Sequence, residues 1–377
     1  MISPLVEVAE KTLKTVLQTK ISLDKAFTMA AEGVKGRARQ EAYQVSRGVV
    51  SNFLRLRHCF EELYGRKGRL RELVEFYLSG KWSEVGLPTG VEGLALKYSY
   101  PVWFVEELVG LMGFSEVEEL LKAMEEPKVW LRCVDREALR LLEEDGCVYR
   151  VDHDLDYMVL LEELPKPPHR LKAVKLGYAI VQDKGSALVV EALEGLSPLL
   201  DACAAPGVKT LAILQLKGSR VIAVDKSWNR LKTLVRMVKL YADKVDVVRA
   251  DSTYSPVRWA AEALVDAPCS GSGTAARDPS VKLRLARKSK VEYYVKLQKR
   301  LLKEALRVAG QVVYAVCSLL PSEGEEIVEA ADAELCKLEL PSTTSGYKQF
   351  KCSTYVKRIM PHLHSCQGFF IARLQAQ

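Results

Sequence analysis

Leu199-Leu200-Asp201-Ala202-Cys203-Ala204-Ala205-Pro206-Gly207-Val208-Lys209-Thr210 is the stretch that decides the fold. A short apolar run ends on an acid. A loop of small residues with one glycine follows, and residues 209–216 then repeat apolar side chains at helical spacing. The pattern recurs downstream. Arg220-Val221-Ile222-Ala223-Val224-Asp225 is a strand ending in an acid, with a helical pattern over 227–241 behind it. Residues 245–250 run into Asp251, and Ala263-Leu264-Val265 runs into Asp266. A helical pattern over 291–308 precedes the strand-like residues 311–316, which end at Cys317. Residues 321–338 read as a helix opened by proline, and 368–374 as a last strand. Alternating strands and helices predict an α/β fold with a doubly wound, mostly parallel sheet. Such sheets bind ligands beyond the carboxyl ends of their strands, so Asp201, Asp225, Asp251, Asp266 and Cys317 mark one binding edge.

Outward from this segment the texture changes twice. Residues 1–110 read as helices: Val6, Ala9, Leu13, Val16 and Leu17 share a helical stripe. Residues 111–175 read as a small α+β unit. It has helices at 116–124 and 136–144 and strands at 129–134, 147–151 and 157–161, and it closes on the stiff Pro165-Lys166-Pro167-Pro168. Residues 176–377 form the third domain.

The chain has 377 residues and is 48% hydrophobic, enough for a sizeable core and against wholesale disorder. No apolar run approaches the roughly 20 residues of a membrane span, and residues 1–7 lack the basic and apolar regions of a secretory signal. Its 55 Lys+Arg against 48 Asp+Glu, net +7, suits a polyanionic partner. The nine cysteines include no C-x-x-C pair, so reduced thiols in a cytoplasmic, metal-free protein are the expectation. His362-x-His364-x-Cys366 is read as a loop before the last strand. Only two asparagines, Asn52 and Asn229, hint at a thermophilic source.

The ligand follows from what the first loop lacks. G-x-G-x-x-G is absent, and a Walker A loop would need glycine where Cys203 and Val208 stand. Small residues still let the backbone approach a ligand. Asp225, eighteen residues after Gly207, suits ribose hydroxyls. A ligand with a ribose, an adenine and a positive charge fits this acidic edge, and S-adenosylmethionine has those parts. Two further segments carry thiols: Asp266-Ala267-Pro268-Cys269-Ser270-Gly271-Ser272-Gly273 and Tyr314-Ala315-Val316-Cys317-Ser318. Neighbouring strands would bring Cys269 and Cys317 to one edge. Cys133, Cys203, Cys336 and Cys352 read as packing residues.

These segments resemble the RsmB/NSUN (Sun/NOL) family of RNA cytosine-5 methyltransferases. The resemblance covers residues 176–377 and adds Cys317-Ser318-Leu319-x-Pro321-x-Glu323-x-Glu325, Gly368-Phe369-Phe370-Ile371-Ala372 and Gly177-x-x-x-Val181-Gln182-Asp183-x-x-Ser186. Val208, Val316 and Gln367 depart from the family pattern without removing a catalytic group. The resemblance implies a Rossmann-like class I methyltransferase domain with an antiparallel strand in its sheet, preceded by a NusB-like helical domain and an RRM/ferredoxin-like RNA-recognition unit. It implies Cys317 as the thiolate that attacks carbon-6 of cytosine, Cys269 in product release, and Asp266 on the N3/N4 edge of the base. S-adenosylmethionine would lie along Cys203, Ala204, Ala205, Pro206, Gly207, Val208 and Lys209. Asp225 would hold its ribose, Arg230 would help position it, Asp251 would lie by the adenine, and Asp266 would touch donor and substrate alike. Lys209, or a residue the sequence does not single out, would lower the pKa of Cys317.

The expected partner is rRNA or tRNA, bound by a monomer, with the target base out of its stack. Lys282, Arg284, Arg287, Lys288 and Lys290 open a cationic run expected to face RNA. Two rivals stand beside this reading. In a DNA cytosine-5 methyltransferase the nucleophile would be Cys269, after Pro268. A non-catalytic RNA-binding assembly factor would not need both thiols and all four acids.

Overall fold

The computed structural model describes residues 4–19 and 21–376, grouped in two compact units. Met1–Glu126 with Ser270–Val291 form one, and Pro127–Cys269 with Glu292–Gln377 form the other. Segment 270–291, which the sequence reading placed with the C-terminal domain, therefore belongs to the helical unit.

That unit contains α1 (Pro4–Thr19), α2 (Leu23–Ala30), α3 (Gly36–Ser51), α4 (Phe53–Tyr64), α5 (Leu70–Ser79), α6 (Gly90–Lys97), α7 (Val102–Met112) and α8 (Phe114–Ala123). The α1 stripe Val6, Ala9 and Leu13 is buried against Val49, Phe53, Leu56 and Leu73, as its spacing predicts. Segment 270–291 is stitched into this bundle by polar contacts. Asp278 accepts from the Leu23 amide at 3.1 Å, the Arg47 guanidinium donates to the carbonyls of Ala276 and Arg277, and the Trp103 indole donates to Leu285 O at 3.1 Å.

The second unit opens with β1 (Val129–Cys133), β2 (Val148–Val151), β3 (Met158–Glu163) and β4 (Ala179–Val181), a sheet in the order β2-β3-β1-β4. β4 lies beyond the proline-rich stretch, so the small sheet draws its last strand from past residue 175. Alternation sets its two faces. Leu131, Val159 and Leu161 cover the helix Glu137–Glu144, while Trp130, Met158 and Leu160 join the core of the large sheet.

The large sheet contains β5 (Leu199–Asp201), β6 (Val221–Asp225), β7 (Val245–Arg249), β8 (Ala260–Asp266), β9 (Ala309–Val316), β10 (Glu334–Cys336), β11 (Thr344–Ser345), β12 (Lys357–Ile359) and β13 (Phe369–Gln375). The order is β11-β12-β13-β9-β8-β5-β6-β7, with β10 on β13. β5 to β9 run parallel, and β13 is antiparallel to β9. The chain builds outward from β5 through β6 and β7, then returns to its other side with β8. The crevice at the carboxyl ends of β5, β6 and β8 is thus the topological switch point, where open α/β sheets bind ligands. Alternate residues pack opposite layers: Leu199, Ala223, Leu264 and Val313 face helices 184–191, 208–216 and 228–237, whereas Leu200, Val224, Val265 and Tyr314 face Leu301, Leu302 and Ala305 of helix Lys288–Val308.

Two local expectations change. Residues 321–338 are a 3-10 turn at Pro321–Glu323, a short helix at Glu325–Glu329 and then β10. Gly324, at φ −119° and ψ −96°, breaks the turn before it can continue. Residues 361–364 form a helical turn in which the Met360 amide donates to His364 Nδ1 at 2.8 Å.

Candidate active site

Three strand ends and two loops build the site within the second unit. At β5, Asp201 is buried and accepts from Thr210 Oγ1 at 2.6 Å, which clamps the first turn of helix Val208–Leu216 to the strand. Burial pushes its pKa up to about 7 despite that bond. The loop between them stays close to β6: the Ala204 amide donates to Val224 O at 3.0 Å and the Ala205 amide to Asp225 Oδ2 at 3.3 Å. Gly207 has φ +110°, and a Cβ there would lie 3.1 Å from Leu234, so glycine is required by conformation and by space. Val208, which departs from the family pattern, opens the helix immediately afterwards.

At β6, Asp225 Oδ1 accepts from the Ser227 amide at 2.8 Å, and Arg230 lies 3.4 Å from Oδ2. Arg230 therefore orients Asp225. After β7, Asp251 accepts from the amide and hydroxyl of Thr253, which hold its carboxyl below the usual range. This donor set fits S-adenosylmethionine: a loop of small residues for close approach, an anchored carboxylate for ribose hydroxyls and an exposed, ionised carboxylate one strand further out. Cys203 lies among them as a packing thiol. Burial, with the carboxylates of Asp201, Asp266 and Asp225 nearby, pushes its pKa up and keeps it protonated.

β8 and β9 are parallel neighbours with Asp266 opposite Ala315, so the loops that follow them meet. Cys269 Sγ and Cys317 Sγ lie 3.2 Å apart. Lys209 Nζ is 2.8 Å from Asp266 Oδ2 and lies over the Phe369 ring. Burial opposes the Lys209 charge, but Asp266, with further help from Cys317 and Asp201, outweighs it and raises the pKa above the ordinary lysine value. The ammonium is thus fixed in its charged form within electrostatic reach of Cys317.

Sequence reasoning missed what holds the thiol loops together. Gln298 is fully buried and donates to Pro268 O at 3.0 Å and to Glu323 at 3.1 Å. Glu323 in turn accepts from Ser318 Oγ at 2.6 Å. One side chain on the helix thereby joins the residue before Cys269 to the residue after Cys317. Tyr314 donates to Glu323 O at 2.8 Å, and the buried Arg358–Glu325 pair donates to Ser318 O at 3.2 Å through Arg358. The Ser318, Glu323 and Glu325 of the thiol motif are therefore its supports. Gln298 carries no signal of its own, standing between Lys296 and Lys299 in a run of surface cations.

The cationic run divides. Lys282 is a correction: its side chain is 2% exposed, 2.6 Å from Glu125 and 2.8 Å from Tyr98 O, so it is an internal cation of the helical unit and offers nothing to RNA. Arg284 is half-buried and paired with Asp278 at 3.3 Å. Arg287 and Lys288 are exposed, Lys288 over the Trp103 ring, and Lys290 is half-buried.

Residues 189–375 match the family described as 16S rRNA methyltransferase RsmB/F. The ribosomal RNA small subunit methyltransferase B of Shewanella oneidensis is 30% identical over 305 residues, 76% of this chain and 69% of that protein. The protein of the same name from Escherichia coli K12 is 31% identical over 300 residues, 74% of this chain and 66% of that one. The chain belongs to the RsmB/F family of S-adenosylmethionine-dependent RNA methyltransferases. It spans about two-thirds of the length of these relatives. Among solved structures, a methyltransferase homologue from Pyrococcus horikoshii superposes with a TM-score of 0.65 at 25% identity, over 77% of this chain and all of that one. NSun6 from Pyrococcus horikoshii, solved with SFG, shares the fold with a TM-score of 0.63 at 22% identity, over 72% of this chain and 97% of that one. Among the described residues no helix is long and apolar enough to cross a membrane.

Proposed function

We propose that the chain converts cytosine to 5-methylcytosine in small-subunit ribosomal RNA, in the cytoplasm, through a temporary bond between Cys317 Sγ and carbon-6 of the base. The observation that carries this reading is the 3.2 Å approach of Cys269 and Cys317 beside the Lys209–Asp266 pair. Carbon-5 of cytosine is too weak a nucleophile to take a methyl group unaided, and covalent catalysis divides the problem. The Cys317 thiolate adds to carbon-6, and the electron pair displaced into the ring makes carbon-5 nucleophilic. Carbon-5 forms the new bond to the methyl group as the methyl–sulfonium bond breaks, its electron pair staying on the donor's sulfur as a neutral thioether. Loss of the carbon-5 proton to a base then re-forms the double bond as the carbon–sulfur bond breaks, which returns the thiolate. Cys269, in contact with the Cys317 sulfur, is assigned to this release.

Asp266 is the acceptor for the N3/N4 edge of the cytosine, and Lys209 keeps that carboxylate in place. S-adenosylmethionine, when bound, supplies the methyl group on a sulfonium. Residues 203–209 would flank it, Asp225 would take its ribose and Asp251 would lie by its adenine. Alignment of donor and base contributes several kcal/mol, ~7–11 at best. A stacked base cannot enter such a crevice, so the target is flipped or unpaired. The relatives' names favour small-subunit rRNA over tRNA, and bisulfite sequencing of total RNA with and without the gene decides between them.

The chemical test uses RNA carrying 5-fluorocytosine. Fluorine cannot leave carbon-5 as the proton does, so the covalent complex accumulates. Mass spectrometry should find the RNA on Cys317. A cross-link on Cys269, or none, overturns the assignment.

A further inference from the structure

The helical unit carries a cleft of about 240 Å³ that the methyl-transfer chemistry does not use. Its floor is apolar: Leu17 from α1, Phe53 and Leu54 from the start of α4, and Leu283 from segment 270–291. Leu17, Leu54 and Leu283 are each partly open to solvent. Its rim is cationic: Arg57, Arg284, Arg287 and Lys290, with no carboxylate among the lining residues. Arg284 pairs with Asp278, whereas Arg57 and Arg287 are exposed. The cleft is smaller than the roughly 300–1,000 Å³ of a drug-sized ligand site and matches a single nucleoside. Apolar side chains lined together with three guanidinium groups and an ammonium suit a flat heterocycle flanked by phosphates, the form in which proteins read unpaired RNA.

We propose that this cleft captures one unstacked nucleoside of the substrate RNA, its base against Leu17, Leu54 and Leu283 and its flanking phosphates on Arg57 and Arg287. The inference deepens the RNA methyltransferase reading and rests on it for the identity of the polyanion. It gives the helical unit a specific task, holding an unpaired nucleotide apart from the one that is methylated.

The test uses the full chain and three probes: a fluorescent single-stranded oligouridylate, an RNA duplex of equal length and inorganic polyphosphate. The single strand should bind most tightly. Arg57→Glu with Arg287→Glu should weaken it at least tenfold and lower the log–log salt slope by about 1.4, two single-strand phosphate contacts. Leu54→Asn should weaken it about fivefold with the salt slope unchanged, because it removes base contact and no charge. Leu17→Gln reads the same contact if Leu54→Asn does not fold. Lys81→Glu, an exposed charge reversal outside the lining residues, should change nothing. A 4-thiouridine strand should photocross-link to peptides containing Leu17, Leu54 or Leu283. Equal affinity for the duplex or for polyphosphate, or indifference to either leucine substitution, overturns the proposal. The Cys317 adduct, read on the same protein, separates the two readings: an intact cleft without an adduct sinks the methyltransferase chemistry alone.

Discussion

Lys209 and Lys282 each lie less than 3 Å from a carboxylate, and their surroundings move them in opposite directions. Lys209, 2.8 Å from Asp266, is raised above the ordinary lysine value, because two carboxylates and a thiol surround it. Lys282, 2.6 Å from Glu125, is lowered. Burial dominates, Glu125 only partly offsets it, and Arg47 adds to the depression. Lys209 borders the crevice where five parallel strands end. Lys282 donates to Tyr98 O and lies over the Tyr100 ring inside the helical unit. On the proposed function the same pair of groups serves chemistry in one place and architecture in the other, and the direction of each shift follows the acids set against burial.

If that division is right, removing groups at the sheet edge should cost rate and leave folding alone. Cys317→Ala should lower methylation by on the order of 10⁴-fold or more, as loss of a covalent nucleophile does, with the melting temperature barely moved. It should also abolish the adduct. Cys269→Ala should instead leave a protein–RNA adduct that survives denaturing electrophoresis, since attack continues while release fails. Identical behaviour of the two variants would remove the distinction between the thiols.

The opposite result is expected in the helical unit. Lys282→Ala unpairs Glu125, which solvent partly screens, and strands two backbone carbonyls; it should cost about 1–3 kcal/mol of unfolding free energy by denaturant titration. Lys282→Met, which refills the volume with apolar atoms, should recover most of it. A loss of methylation from Lys282→Met at unchanged stability would return Lys282 to the RNA-facing residues.

Between these extremes lies Gln298. It joins Pro268 to Glu323 and so fixes the loop spacing. Gln298→Leu should slow adduct formation by about 10–100-fold, the range for a reacting group displaced by about 1 Å. The loss should fall on kcat and not on the KM for RNA, and Gln298→Glu should restore less than half of it. A loss confined to KM would make Gln298 a binding residue.

Much of the catalytic edge was legible in the sequence because its pattern is local. Each parallel strand ends at or just before a residue proposed for the site, and a parallel pairing such as Asp266 with Ala315 carries neighbouring loops to one place. The helical unit was legible only as helices. Lys282 and Arg287 are five residues apart in one cationic run, and no periodicity says that the first enters the core while the second meets solvent. That depends on Glu125, Tyr98 and Trp103, which lie more than 150 residues upstream. Gln298 was hidden for the same reason, since its partners are Pro268 and Glu323.

The smallest effect is also the most direct reading of the comparison. For Lys209 the folded-state pKa exceeds the unfolded value of 10.5, so its contribution is complete below pH 10.5 and fades as the pH climbs through the folded value. For Lys282 the folded pKa lies below 10.5, so the folded chain sheds that proton first, and stability rises with pH between the depressed value and 10.5. Unfolding free energies of Lys209→Met and Lys282→Met, each taken as a difference from the unaltered protein between pH 8 and 11.5, cancel the titration of groups that do not couple to the replaced lysine. The Lys282→Met difference should move toward destabilisation as pH rises to 10.5. The Lys209→Met difference should move toward stabilisation above it. Neither slope can exceed about 1.4 kcal/mol per pH unit, the limit for one proton. Slopes of the same sign would mean that the two ammonium groups share one environment, and the contrast between the sheet edge and the helical unit would lose its electrostatic basis.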